Sequence, residues 1–156
     1  WRVGDTYTTS IGQYGWQVTL LQSLRATAAL ANGGMLVTPS ILKGVQGAQQ
    51  SVPIESEHLT VAREGMRMAV TEGTAQALSF PEVRVAAKTG TAEVGLKKEE
   101  SNSLVIGFFP YDAPRYAFAI ILERAKAGTT VGAPAAMQGV MRWIISSRPE
   151  YTTTSN

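Results

Sequence analysis

The chain reads as an α+β fold in which helices cover an antiparallel sheet. Three observations predict it. Two helical periodicities in the first half each end at glycine, at Gly33-Gly34 and at Gly73. Three β-rich runs follow Pro81, and a last helix opens at Pro134. Helices and strands are thus segregated along the chain rather than alternating, which argues against parallel βαβ units. With no internal repeat and no low-complexity linker, residues 1–156 are read as one unit.

The first helix is expected over residues 19–32. Thr19-Leu20-Leu21-Gln22 has the reciprocal pattern in which the hydroxyl accepts from the third helical amide and the glutamine reaches back. Leu21, Leu24, Ala28 and Ala31 recur at spacings of three and four and define its apolar face. Gly33-Gly34 then stops the helix, and Pro39 forbids continuation. A second helix is expected over residues 57–72, with Leu59, Ala62, Met66, Ala69 and Val70 inward. Gly65 lies inside it at a cost of about 1 kcal/mol relative to alanine, so close packing against another backbone is expected there.

Strands are predicted over residues 83–92, 104–109 and 116–122. Pro110-Tyr111-Asp112-Ala113-Pro114 makes a compact turn between the last two, hence a hairpin. Gly95 and the run Lys97-Lys98-Glu99-Glu100 suggest a longer solvated loop after the first. Pro134 suits the first position of the closing helix, whose inner face is Met137, Val140, Met141 and Ile144. Residues 152–156 are polar and are expected to fray.

Composition excludes several functions. Apolar residues make up 44% of the 156 and charged residues 17%, which suits a packed domain and not a disordered tail. No run of about 18 apolar residues exists, so no membrane contact is expected from this segment. The opening Trp1-Arg2-Val3-Gly4-Asp5 is no signal peptide and reads like the interior of a longer protein. The net charge of +2 is scattered, and Lys97-Lys98 is cancelled by Glu99-Glu100, so no basic face for nucleic acid forms. With no cysteine, disulfides and thiolate zinc sites are excluded, which suits an oxidising extracytoplasmic compartment.

Lys88-Thr89-Gly90-Thr91-Ala92 falls inside the first predicted strand. Glycine weakens a strand unless something must approach the backbone closely, and a ligand laid along the strand edge would do so. Lys-Thr-Gly belongs with Ser-x-x-Lys and Ser-x-Asn in the motif set of active-site serine enzymes that recognise penicillin. Ser10-Ile11-Gly12-Gln13, Ala31-Asn32-Gly33-Gly34, Thr38-Pro39, Glu72-Gly73-Thr74-Ala75 and Ile106-Gly107-Phe108-Phe109-Pro110 flank it in order. With Trp1-x-x-Gly4-Asp5-Thr6, this series resembles the class B penicillin-binding proteins, the elongation-type transpeptidases in particular. One departure is Tyr14, where the family often has glycine after Ile-Gly-Gln; here glycine comes at Gly15.

The resemblance implies the penicillin-binding transpeptidase fold, of which this chain would supply three strands and the C-terminal helices. It implies D,D-transpeptidation of peptidoglycan stem peptides through an acyl-serine, with β-lactams as suicide ligands and no cofactor or metal. Lys88 would supply positive charge beside the nucleophile. The Thr89 and Thr91 hydroxyls would hold a carboxylate, Gly90 would admit the ligand, and the Thr91 amide would serve the oxyanion hole. The parent would work outside the cytoplasm, anchored to the membrane. A strand left without its family neighbour implies association, either with the N-terminal remainder of the protein or with a second copy. The same fold also serves non-catalytic β-lactam sensors and scaffold domains, and carboxypeptidases and β-lactamases share it.

The nucleophile is expected outside these residues. Ser40-Ile41-Leu42-Lys43 matches Ser-x-x-Lys, but that motif needs a helix to bring residues three apart onto one face. Ser40 instead follows Pro39 in an extended stretch, and no Ser-x-Asn occurs anywhere. This chain alone is therefore expected to be inactive. His58, the only histidine, is read as a surface or capping residue, Glu93 as a solvated strand-end glutamate, and Trp143 as a core or interface residue.

Overall fold

The computed structural model describes residues 1–12, 17–95, 99–126, 128–129 and 131–153. Among the described residues, α2 (Leu20–Ala31), α3 (Ser56–Thr71) and α4 (Ala133–Ser147) pack against two antiparallel sheets, and a further helix, α1 (Val3–Ser10), buries no side chain. Strands β1 (Met35–Val37) and β2 (Gln49–Ser51) form a small pair. The main sheet has the order β3-β4-β5, with β3 (Ala86–Val94), β4 (Glu100–Phe109) and β5 (Tyr116–Lys126).

The α2 cap forms as its sequence pattern predicts. The Gln22 amide donates to Thr19 Oγ1 at 3.2 Å, and the Thr19 amide donates to Gln22 Oε1 at 2.8 Å. At the other end the Asn32 side chain accepts from the Met35 amide at 2.9 Å and donates to the Met35 carbonyl at 2.8 Å. That double bond turns the chain directly into β1.

The sheet divides the core. Residues paired across strands share a face, so Ala87, Val105, Phe109 and Phe118 look one way, where Met137 and Met141 of α4 join them. Ala86 and Phe108 look the other way, toward Ala31 of α2 and Met66 of α3. Gly107 sits between Ala87 and Phe118 in this register. A Cβ there would run into the Phe118 ring and the Ala86 carbonyl oxygen. The glycine of the Ile-Gly-Phe-Phe-Pro motif is thus a packing requirement: the Phe118 ring lies across its backbone.

Several sequence expectations need correction. Leu21 of the expected apolar face is 52% exposed, whereas Thr27 and Ala29 are buried. The helix meets the sheet on one side and the β1–β2 pair on another, so its small residues face the closest contacts. On α3, Leu59, Met66 and Val70 are buried but Ala62 is exposed. Gly65 has no atom within 4 Å of where its Cβ would stand, so close packing does not explain it. Val140 of α4 is 45% exposed, while Met137 and Met141 are buried and Ile144 packs on the core. Trp143 is 58% exposed and outside the core.

The strands are also displaced from their expected bounds. Val83 and Val85 are buried without joining the ladder, which starts at Ala86. All three strands continue past their apolar stretches, to Val94, back to Glu100 and on to Lys126, so backbone pairing carries the hairpins beyond the core. The connection after β3 is therefore shorter than expected; Lys97 and Lys98 lie outside the described residues, as do Tyr14 and Gly15. Thr152 is buried and its hydroxyl donates to the Pro149 carbonyl at 2.8 Å, so the tail is anchored that far. Helix α1 and the β1–β2 pair were not anticipated.

Two glycine substitutions should move stability in opposite directions. Gly65→Ala gains helix propensity into open space and should raise unfolding free energy by about 0.5–1 kcal/mol. Gly107→Ala should lower it by about 1–3 kcal/mol through overpacking. Denaturant midpoints on the two variants would check both signs.

Candidate active-site strand

Strand β3 is an edge: among the described residues only β4 pairs with it. The register from Ala86↔Phe108 to Val94↔Glu100 has no shift, so the alternation of backbone directions is unbroken along it. Two hydrogen bonds and one close approach fix its phase. The Tyr111 amide donates to the Arg84 carbonyl at 2.7 Å, and the Ala86 carbonyl oxygen lies against Gly107, so even-numbered residues turn toward β4. Arg67 of α3 donates to the Val85 carbonyl at 2.7 Å from the opposite side. The N–H and C=O groups of Thr89 and Thr91 therefore point out from the free edge.

Helix α3 covers that edge only at its start. Arg67 reaches Val85, and its guanidinium is held below its ordinary pKa by burial and then by neighbouring Arg84. Arg63 of the same helix donates to the Tyr111 carbonyl at 3.1 Å and lies over the Phe108 and Tyr111 rings. These contacts clamp α3 across the strand end, and beyond them Lys88, Thr91 and Ala92 are exposed.

Side chains alternate as well. Lys88 is exposed, on the face shared with Ile106 and Ala86, and its Nζ donates to the Thr89 carbonyl at 2.5 Å. Thr89 and Thr91 occupy the opposite face. Gly90 stands opposite Leu104, whose Cβ would be 3.6 Å from a Cβ at Gly90, an ordinary contact. The structure thus places Lys88 on one face of a single exposed edge and the two threonine side chains on the other, with the threonine amides along the edge itself.

One contact was not foreseen. Thr74 Oγ1 lies 2.5 Å from Thr89 Oγ1. The Glu72-Gly73-Thr74-Ala75 motif explains how. A Cβ on Gly73 would stand 2.9 Å from Ala69 Cα, so glycine alone lets the chain fold back over the last turn of α3. The Ala75 amide then donates to the Ala69 carbonyl at 2.8 Å, with Ala75 fully buried. Thr74, held between them, projects toward β3. The motif was legible in sequence, but nothing in it pointed fifteen residues ahead.

On the Lys88 face, α2, β1, the segment after β2, α3 and β4 line an open apolar groove of about 610 Å³. Val18, Leu30, Leu36, Val52, Ile54, Leu59 and Ile106 line it, and Ile106 is the cross-strand partner of Lys88. Ser40 and Lys43 are not on a helix: they lie in the connection between β1 and β2, and the Ser40 hydroxyl accepts from the Leu42 amide at 3.1 Å. His58 is exposed in the first turn of α3, and Glu93 is exposed on β3.

Residues 1–142 match the family described as the penicillin binding protein transpeptidase domain. The chain belongs to that family. Its relatives include the peptidoglycan D,D-transpeptidase MrdA of Haemophilus influenzae, 34% identical over 95% of this chain and 27% of that protein. Among solved structures, penicillin-binding protein PBP2 in complex with MreC from Helicobacter pylori superposes with a TM-score of 0.79 at 28% identity, covering 96% of this chain and 29% of that one. The imipenem acyl-enzyme of penicillin-binding protein A from Mycobacterium tuberculosis gives 0.70 at 27% identity, over 86% of this chain and 32% of that one. The chain thus spans about a quarter of the length of the curated relatives it matches and represents part of a class B transpeptidase domain.

Gly73→Ala should therefore disturb more than a helix end. The added methyl forces the Thr74 turn off the Ala69 backbone, and a loss of about 1–3 kcal/mol is expected in chemical denaturation. A Gly73→Ala variant as stable as the parent would contradict the close approach.

Proposed function

We propose that this chain forms the Lys-Thr-Gly wall of a peptidoglycan D,D-transpeptidase. The observation that carries the reading is the phase of β3: the Thr91 N–H faces the free edge beside an exposed Lys88. An extended stem peptide lies along that edge, admitted over Gly90. Thr89 and Thr91 receive its terminal carboxylate, and Lys88 supplies positive charge near the nucleophile. A serine from the remainder of the protein attacks the peptide carbonyl, and the developing oxyanion is stabilised by the Thr91 N–H. The C–N bond breaks, the terminal residue leaves with a proton, and an acceptor amine then takes the acyl group and restores the serine. A β-lactam follows the same path to the acyl-enzyme and stops there. The protein works outside the cytoplasm and is anchored to the membrane by a segment other than those described, none of whose helices is long and apolar enough to span one.

The edge geometry is directly testable in the full-length protein that contains these residues. Proline at position 91 removes the N–H but breaks no ladder bond, because that group faces outward. Thr91→Pro should slow acylation by a fluorescent penicillin about 10²–10³-fold beyond Thr91→Val, which loses the hydroxyl but keeps the donor. Equal rates for the two variants would remove the Thr91 amide from the oxyanion hole.

The remainder of the domain is also the proposed cover for the apolar groove and for the outer edge of β5. The isolated chain should take no penicillin label and should associate in size-exclusion chromatography with light scattering. A clean monomer, or an adduct mapped within residues 1–156, would count against this arrangement.

A further inference from the structure

We propose that Thr74 is a positioning residue for anion recognition, its hydroxyl holding that of Thr89 ready to donate to the ligand carboxylate. The inference rests on the reading of residues 88–91 as the ligand-binding wall. Either oxygen of the 2.5 Å Thr74–Thr89 contact can donate in the absence of ligand. A hydroxyl has one proton, and an ionised carboxylate only accepts. If Thr89 gave its proton to Thr74, it would present lone pairs to an anion. With Thr74 as donor, a lone pair of Thr89 is occupied and its proton turns outward. Arrival of the carboxylate therefore selects one direction, Thr74 to Thr89 to ligand, and each bond in such a chain polarises the next.

The local backbone suits this task. Thr74 sits on a turn pinned by the Ala75-to-Ala69 hydrogen bond and by the close approach at Gly73. Its hydroxyl is delivered from outside the sheet, so the direction of the Thr89 side chain does not depend on β3 alone. The contact is exposed, so it contributes little to the free fold and gains strength once a ligand excludes water.

The test uses the full-length protein with Thr74→Val and Thr74→Ser. Second-order acylation rates are measured with a fluorescent penicillin bearing its free carboxylate and with the carboxyl ester of the same compound. Thr74→Val should lower the rate about ten-fold with the carboxylate and much less with the ester, at an unchanged denaturation midpoint. Thr74→Ser, which keeps the hydroxyl, should restore the wild-type rate. A wild-type rate for Thr74→Val overturns the proposal, and so does an equal loss with both compounds or a serine variant as impaired as the valine one. If the wild-type protein itself is not acylated, the wall reading falls and the role of Thr74 falls with it; acylation that responds to Thr91→Pro but not to Thr74→Val sinks the Thr74 role alone.

Discussion

The site depends on the register of β3 against β4. In an antiparallel pair a slip of one residue exchanges both the side-chain faces and the inward and outward backbone groups. Lys88 would move to the α4 side, and the Thr91 amide would be spent on the ladder. The stack at Gly107 keeps β4 in phase, because the Ala86 carbonyl oxygen and the Phe118 ring converge on one backbone position. Any other residue brought to that position carries a side chain that cannot fit. The apolar clusters on the two faces oppose a slip of β3, because Ala86 and Ala87 are both fully buried, in different clusters on opposite faces of the sheet.

Helix α3 converts that register into an accessible edge. Its two arginines bond to main-chain carbonyls just before the strand and in the β4–β5 turn, and cation–π contacts with the stacked Phe108 and Tyr111 rings further hold Arg63. The helix then ends, and Gly73 turns the chain back so that Thr74 reaches farther along β3, to Thr89. The glycine that ends α3 and the exposed threonine hydroxyl beyond it are two parts of the same construction.

Much of this was legible in the sequence where the cause is local. The Thr19–Gln22 cap, the stop at Gly33-Gly34 and the 110–114 turn involve neighbours within a few residues, and each formed as its pattern predicts, while α4 starts at Ala133, one residue before the expected Pro134. Rejection of Ser40 followed from the same local reasoning. Readings failed where the cause is a distant partner. Leu21, Ala62 and Val140 carry helical periodicity, yet which flank of a helix is buried depends on what stands beside it. The β1–β2 pair joins Met-Leu-Val to Gln-Gln-Ser across a long connection, and the polar strand has no apolar alternation to reveal it. The identities of Lys88, Thr89, Gly90 and Thr91 could be read by resemblance, but the outward phase of their backbone could not. It emerged only from bonds made by Arg67 and Tyr111.

The two edges of the main sheet differ in a way that fits different neighbours. The outer side of β5 is regular from Tyr116 to Leu122 and is then interrupted. Between the pairs Ser101↔Ala125 and Ser103↔Leu122, two residues of β5 oppose the single Asn102. Arg124 adopts a φ of 55°, and its amide donates to the Asn102 side chain at 2.9 Å. Such a bulge increases the local twist of a strand and breaks the regularity of its outer edge. Apolar residues occupy the regular part, which suits permanent cover by another strand. The edge of β3 has no bulge over nine residues, and the segment beyond Ala87 carries Lys88, two hydroxyls and Glu93 in place of an apolar row. Charge on an edge discourages indiscriminate strand addition, while the outward amides and carbonyls beyond Ala87 keep the regular spacing of a strand edge. The apolar row on β5 thus suits lasting cover, and the polar, regular edge of β3 suits the reversible ligand contact proposed for it.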